Sequence, residues 1–273
     1  MSLRRSFWRS VETIHHVVYF APDAKARYEA LGLKGQWMGY FASRSAPLGL
    51  PGPEVVTATF HGFAPALVHR AIPAAWNLAD RDEILATRLQ HGRDVIRPGV
   101  EIAGIDLAPS AQALGDALPT LDLTVRPLAA GHVGLPRPAD DLGLLWHGAT
   151  ALREYRGDSH LTVLAHAGLD GVTANVLMVA AGLTFSAQQQ LRGWTDEEWA
   201  AGTRRLQDRG WLDEAGGITA AGGAARAEIE DETDRVTLTG IPADTVESLA
   251  AVADDLMAVS KGVVASGAEP SHG

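Results

Sequence analysis

The sequence predicts a mainly α-helical protein made of two helical modules, and three observations carry that prediction. Apolar residues recur at three- and four-residue spacing in segment after segment. Prolines and glycines punctuate these segments where helices start and stop. Between residues 158 and 235 the capping residues, turn glycines and one acidic hairpin follow in the order helix, helix, helix, hairpin, helix. A chain of 273 residues can hold two ordinary domains. The predicted division is an amino-terminal helical module (1–97), a proline-punctuated connector with short helices (98–144), a second module (145–240), and a carboxy-terminal helix and tail (241–273).

In chain order, residues 11–19 read as a strand, which would put His15 and His16 on opposite faces and keep them from sharing a ligand. Pro22-Asp23 opens a helix that runs to Leu31. Residues 36–46 form a helix with Trp37, Tyr40, Phe41 and Arg44 at helical spacing, stopped by Pro47, Pro51 and Pro53. Short helices over 54–60 and 65–72 flank Phe60-His61-Gly62-Phe63, Pro73 starts a segment with Trp76, and a longer helix covers 82–95. In the connector, helices are expected at 110–118 and 119–128, followed by a loop over 131–141.

The second module begins with a helix over 145–156. Asp158 is then placed to cap a helix over 158–166 that Gly168 closes. Asp170-Gly171 turns into a helix over 172–181 ended by Gly182. Thr195 with Glu198 three residues on is a capping box that opens a third helix, which ends at Arg209-Gly210. Trp211-Leu212 and Ile218-Thr219, separated by Asp213-Glu214-Ala215-Gly216-Gly217, form a tight hairpin, and a helix over 224–235 closes the unit. An amphipathic helix over 243–259 and a frayed tail over 266–273 complete the chain.

This order of elements resembles the MarR-type winged helix-turn-helix proteins. The resemblance rests on Arg209-Gly210-Trp211-Leu212 leading into the wing, on Ile218-Thr219 and Gly222 returning from it, and on Arg226, Ile229, Glu230, Thr233, Asp234 and Arg235 after it. It implies a winged helix-turn-helix fold over about a third of the chain and, as an expectation, a ligand-responsive transcriptional regulator that forms a homodimer. Paired modules within one chain would serve instead of a dimer, because the helix density of 1–97 is that of a second helix-turn-helix module without a wing. The run from Leu145 to His160, together with Gly193-Trp194-Thr195-Asp196-Glu197-Glu198-Trp199, is similar to a group of actinobacterial helix-turn-helix proteins. That similarity implies a fold and no particular activity.

Composition narrows the chemistry. With no cysteine, disulfides, thiolate metal sites and cysteine nucleophiles are excluded. No window approaches the roughly 20 apolar residues of a membrane helix, so a cytoplasmic protein without a membrane partner is expected. The net charge of −10 is lopsided: residues 195–273 hold 16 acidic and 6 basic side chains, which accounts for all of it. A duplex-DNA reader needs cations on its third helix and wing. Here that helix opens Asp196-Glu197-Glu198 and the wing tip carries Asp213 and Glu214 with no Lys or Arg, which argues against nucleic acid as a partner.

The candidate functional residues lie just ahead of the winged unit. At 100° per residue, Leu145, Gly148, Ala149, Leu152 and Tyr155 share an apolar face. Trp146, His147, Thr150, Arg153 and Glu154 share the opposite arc, a set that suits a pocket wall better than a water-facing surface. Arg156 and His160 follow at a predicted helix start, where free N–H groups would favour an anion. The leading expectation is a small aromatic or anionic molecule bound in an interdomain pocket. That pocket would be lined by Trp146, His147, Thr150, Arg153, Glu154, Arg156 and His160, joined by Trp37, Tyr40, Arg44, His61 and Trp76 from the first module. An enzyme of specialised metabolism would use His147 or His160 as general base, oriented by Glu154 or Asp158. No metal site is expected, since His147, His160 and His166 lack helical ligand spacing, and no pattern points to a cofactor.

Overall fold

Two apolar cores share one long helix in the computed structural model, which describes residue 3 and residues 5–268. The first half supplies α1 (Arg5–Phe20), α2 (Ala24–Glu29), α3 (Gly35–Ser45), α4 (Pro53–Thr59), α5 (Pro65–Ala71) and α6 (Arg81–Ala103). Then come α7 (Ala108–Ala117), α8 (Pro127–Val133), α9 (Asp141–His166), α10 (Gly171–Ala180), α11 (Gln188–Arg192) and α12 (Asp196–Asp208). The chain ends with α13 (Ala220–Thr239), α14 (Ala243–Ala251) and α15 (Ala253–Ala265). Among the described residues there is no strand, only an antiparallel bridge between Leu212 and Ile218, so the protein is mainly α-helical. No single helix there is long and apolar enough to cross a membrane.

The first core takes Phe7, Val11, Ile14 and Val18 from α1, Phe41 from α3, Ile84 and Ile96 from α6, Leu145 and Leu152 from α9, and Leu256, Val259 and Val263 from α15. Helices α6 and α15 cross in backbone contact, because a Cβ on Gly262 would sit 2.1 Å from the Gly99 carbonyl oxygen. Similarly, Gly92 of α6 leaves room for the Trp146 ring, which a Cβ would meet at 2.3 Å. The second core is smaller: Val163, Leu164, Leu169, Val172, Val176, Leu177, Leu206, Leu212 and Ile229. Its helices end as their glycines dictate, with Gly168 and Gly182 both at φ 66°. The capping box of Thr195 and Glu198 forms at α12, and Thr219 caps α13.

Several elements differ from the sequence reading. Residues 11–19 are helix, not strand. The β-branched run around Val17-Val18 imitates a strand, but Phe7, Val11, Ile14 and Val18 place one helical face in the core. Helix α9 continues unbroken through Gly157 and Asp158. Asp158 does not cap a new helix; its carboxylate accepts a hydrogen bond from the Ala129 N–H of α8 at 3.0 Å. The helix expected over 119–128 is replaced by a 3-10 turn at Leu118–Thr120 and by α8, which starts where Pro127 fits the first helical position. Helix α6 carries Pro98 inside it and runs on to Gly104. The single helix expected over 243–259 is two helices hinged at Val252. Of the expected tail, residues 269–273 lie outside the described residues. The segment 98–144 also packs more deeply than a connector would, since Ala111, Leu114, Leu128 and Ala129 are buried in the first core.

Candidate functional site

The two cores meet along the middle of α9, and a cavity of about 370 Å³ opens at that seam. Its first-core wall comes from α3, the Phe60-His61-Gly62-Phe63 turn and the middle of α9. Its second-core wall comes from α10, α11 and the loop between them. Backbone geometry pins the two walls together. The Gly62 carbonyl accepts from Asn175 Nδ2 at 2.7 Å and from Trp194 Nε1 at 3.2 Å, and Ala64 N–H donates to the Arg192 carbonyl at 2.9 Å.

Glu154 anchors the polar end. Arg44 Nη2 donates to both of its carboxylate oxygens, at 2.7 and 2.8 Å, and Arg153 Nη1 donates to Oε2 at 2.8 Å. Burial pushes the Glu154 carboxyl upward, but Arg44 and Arg153 outweigh it and hold the group well below the usual range, so it is ionised. Behind it, His15 lies 3.7 Å from Oε1 and 3.3 Å from the Thr150 hydroxyl. Burial keeps that imidazole neutral despite the carboxylate. Arg44 Nη1 also donates to the Tyr40 hydroxyl at 2.6 Å, and its guanidinium lies 4.6 Å from the Phe60 ring centroid.

One turn along α9, Asp158 faces the same cavity. Burial raises its carboxyl to about 7, with the Ala129 N–H pulling the other way and Glu154 adding to the rise. His160 donates or accepts at the Thr233 hydroxyl, 2.9 Å away, and burial lowers its ring to about 4. His61 is lowered by burial as well. The cavity therefore presents ionised arginines, one ionised carboxylate, one carboxyl near neutrality and two neutral imidazoles.

The twelve residues singled out from the sequence divide evenly. Tyr40, Arg44, His61, Arg153, Glu154 and His160 line the cavity. Thr150 stands behind it as the partner of His15. Trp146 is turned to α6, its ring 4.9 Å from the Arg88 guanidinium, and His147 packs near His132 with ring centroids 6.4 Å apart. Arg156 is committed to Glu230 and Asp234 of α13 at 2.9 and 2.8 Å. Trp37 meets Phe63 edge-on at 5.3 Å, and Trp76 Nε1 donates to the Pro51 carbonyl. The wheel arc splits this way because α9 is buried on all sides. Its polar face meets first-core helices at some positions and the cavity at others. The anion reading of a helix start at 158–160 does not hold, because an unbroken helix leaves no free N–H groups there.

Sequence reasoning missed Arg192, Phe60, Phe63, Met178 and the role of His15. Arg192, Phe60 and Phe63 lie on a five-residue helix and a turn whose placement no pattern marks, Met178 lies on an expected helix whose apolar run does not single it out, and His15 was concealed by the strand reading. Among the described residues no group of three or more His, Asp or Glu side chains is placed to hold a metal ion.

On the outer face of the second module, two of the three α12-region arginines are engaged internally. Arg205 pairs with Asp170 at 2.8 Å, and Arg209 donates to the Ala167 and Gly168 carbonyls. The wing tip is tied by Asp213, which accepts from the Gly217 N–H at 2.8 Å. A helix-turn-helix family profile matches residues 4–270, nearly the whole chain. No curated protein and no solved structure matches it.

Proposed function

The chain belongs to that helix-turn-helix family, and from this premise we propose that it binds a small aromatic or anionic molecule in the cavity between its helix-turn-helix module and its larger helical core. The observation that carries the reading is the position of the cavity: side chains of both cores line it, so an occupant touches both. A ligand there would gain from the aromatic wall of Tyr40, Phe60 and Phe63 and from the cationic end at Arg44 and Arg153.

The same reading leaves the helix-turn-helix unit without a conventional DNA role. A MarR-like regulator would present cations on α12 and the wing, whereas the exposed arginines without an acidic partner among the described residues there are Arg204 and Arg209, the latter donating to the Ala167 and Gly168 carbonyls, in a stretch that also carries Asp196, Glu197, Asp208, Asp213 and Glu214. The test is a thermal-shift screen of aromatic acids and their neutral analogues. Wild type should show saturable stabilisation, and Ala174→Trp, which fills the cavity from α10, should lose it. Equal stabilisation of both proteins would place the occupant elsewhere and overturn the reading.

A further inference from the structure

The charges lining the cavity do not balance, and the imbalance falls on one residue. Arg44 is neutralised by Glu154, and Arg153 is shared between Glu154 and Glu12. Arg192, the last residue of α11, lines the same cavity and has no carboxylate partner among the described residues. Its guanidinium lies 4.1 Å from the Phe63 ring centroid, so its immediate company is an aromatic face. Burial disfavours its charge, and the nearby Tyr40 phenol offsets this only in part. A guanidinium does not escape such a position by losing its proton. It stays charged, with the Tyr40 hydroxyl and the Phe63 ring as its company.

The neutral polar groups nearby are already engaged. Asn175 Nδ2 donates to Gly62 and Gly171 carbonyls, Gln188 Nε2 donates to Asn175 Oδ1, and the Thr184 hydroxyl donates to Gln188 Oε1. Leu161, Leu164, Met178 and Leu183 add apolar surface to the lining. A cation without a carboxylate partner, set against aromatic and aliphatic side chains, selects a charge as well as a shape. A monoanion neutralises Arg192. A dianion would leave a surplus negative charge near ionised Glu154 and close to Asp158.

We propose that the cavity takes a monocarboxylate with a flat apolar body, its carboxylate paired with Arg192 and its body against Phe60, Phe63 and the α10 side chains. The inference rests on the cavity being a ligand site. It adds the charge of the ligand and the residue that reads it, supplied by the helix-turn-helix side of the seam. A bidentate carboxylate–guanidinium pair is the geometry Arg offers and Lys does not.

The test uses matched probes: benzoate with benzamide, 2-naphthoate with 2-naphthamide, and indole-3-acetate with indole-3-acetamide. Affinities are measured by calorimetry on the full chain for wild type, Arg192→Gln, Arg192→Lys and an Arg204→Gln control on exposed α12. Wild type and the control should prefer the acid of at least one pair by about tenfold or more. Arg192→Gln should bind acid and amide alike, and Arg192→Lys should keep part of the preference. A circular-dichroism melt of each variant shows that it is folded. If amides bind wild type as well as acids do, or Arg192→Gln keeps the preference, the charge assignment is overturned while the cavity reading stands. If no member of any pair binds wild type, both are overturned.

Discussion

The two cores that meet at α9 are built on opposite terms. The larger one buries ionisable groups: His15, Arg88, His132, His147 and Glu154 are all at most 5 % exposed. The smaller one keeps its core apolar and its charges outside, with ion pairs such as Arg226–Glu230 and Arg205–Asp170 at its surface. Burial makes a charge or a neutral imidazole expensive to change, so the first region is sensitive to protons and to single substitutions. The second region, whose ion pairs are partly exposed, feels protons chiefly through His160, which burial lowers to about 4. The cavity lies where these two environments touch, with the Arg44–Glu154 pair and aromatic rings on one wall and the Asn175–Gln188 network, Arg192 and apolar side chains on the other.

Acid should separate the two regions most strongly. Burial holds His15 and His132 well below their usual value and His147 at about 4. In the unfolded chain each titrates near 6.5. The unfolded state therefore binds more protons below that pH, and stability is present above it and lost as pH falls toward the folded values. The slope is up to about 1.4 kcal/mol per pH unit for each histidine, so the three together should unfold the first core cooperatively between about pH 6 and 4. Urea titrations at a series of pH values measure this. A stability that stays flat from pH 7 to pH 5 would show that the imidazoles are already charged in the native state.

Next in size is the central ion pair. Glu154→Gln leaves Arg44 buried without its carboxylate and should cost about 3–5 kcal/mol at pH 7. Glu230→Gln, in the second region's partly exposed network with Arg156 and Arg226, should cost about 1 kcal/mol. Equal costs in chemical denaturation would erase the proposed contrast between the two regions.

Asp158 runs against the histidines. Its carboxyl is raised to about 7 in the native state and titrates near 3.9 unfolded. The native state binds the extra proton between those values, so this group's stabilisation is complete at low pH and declines as pH rises to about 7. Asp158→Asn, whose Oδ1 can still accept the Ala129 N–H, should gain roughly 3 kcal/mol relative to wild type on going from pH 4 to pH 8. A difference between the two proteins that does not vary with pH would mean that Asp158 is ionised throughout.

These contrasts also explain what the sequence disclosed. The second module was legible almost helix by helix because its signals are local: the Thr195–Glu198 box, Gly168 and Gly182 at left-handed φ, and the acidic turn before Ile218. The Glu154 end of the cavity was partly legible from helical spacing on α3 and α9. What stayed hidden depends on tertiary partners. The Asp158 carboxylate has the look of a cap but is satisfied by α8, and the strand-like run near His15 becomes helix because its neighbours bury it. Arg192 sits in a five-residue helix whose place beside Phe63 no local rule foretells.

The smallest effect tests whether the acidity of the helix-turn-helix unit opposes duplex DNA. Glu197 and Glu214 are exposed, on α12 and at the wing tip, and neither carries the turn-tying bond that Asp213 makes. Converting both to Lys changes the local charge by four units without touching the core. If the fold is a DNA reader suppressed by its charge, the double variant should acquire weak binding to non-specific duplex, a gain on the order of 1 kcal/mol at low salt. Its log-affinity should fall with log salt at a slope steeper by about 2. The same reversal on the first region, Glu54→Lys with Glu101→Lys, adds equal charge on an unrelated surface and separates geometry from net charge. Fluorescence anisotropy with a labelled duplex reads all three proteins. Gain in the wing variant alone would mean that the docking geometry survives and only the charges have changed its use. Equal gain in both would mean that charge attracts DNA to any face. Salt-dependent binding by wild type itself would remove the distinction drawn between a ligand-holding seam and an idle outer face.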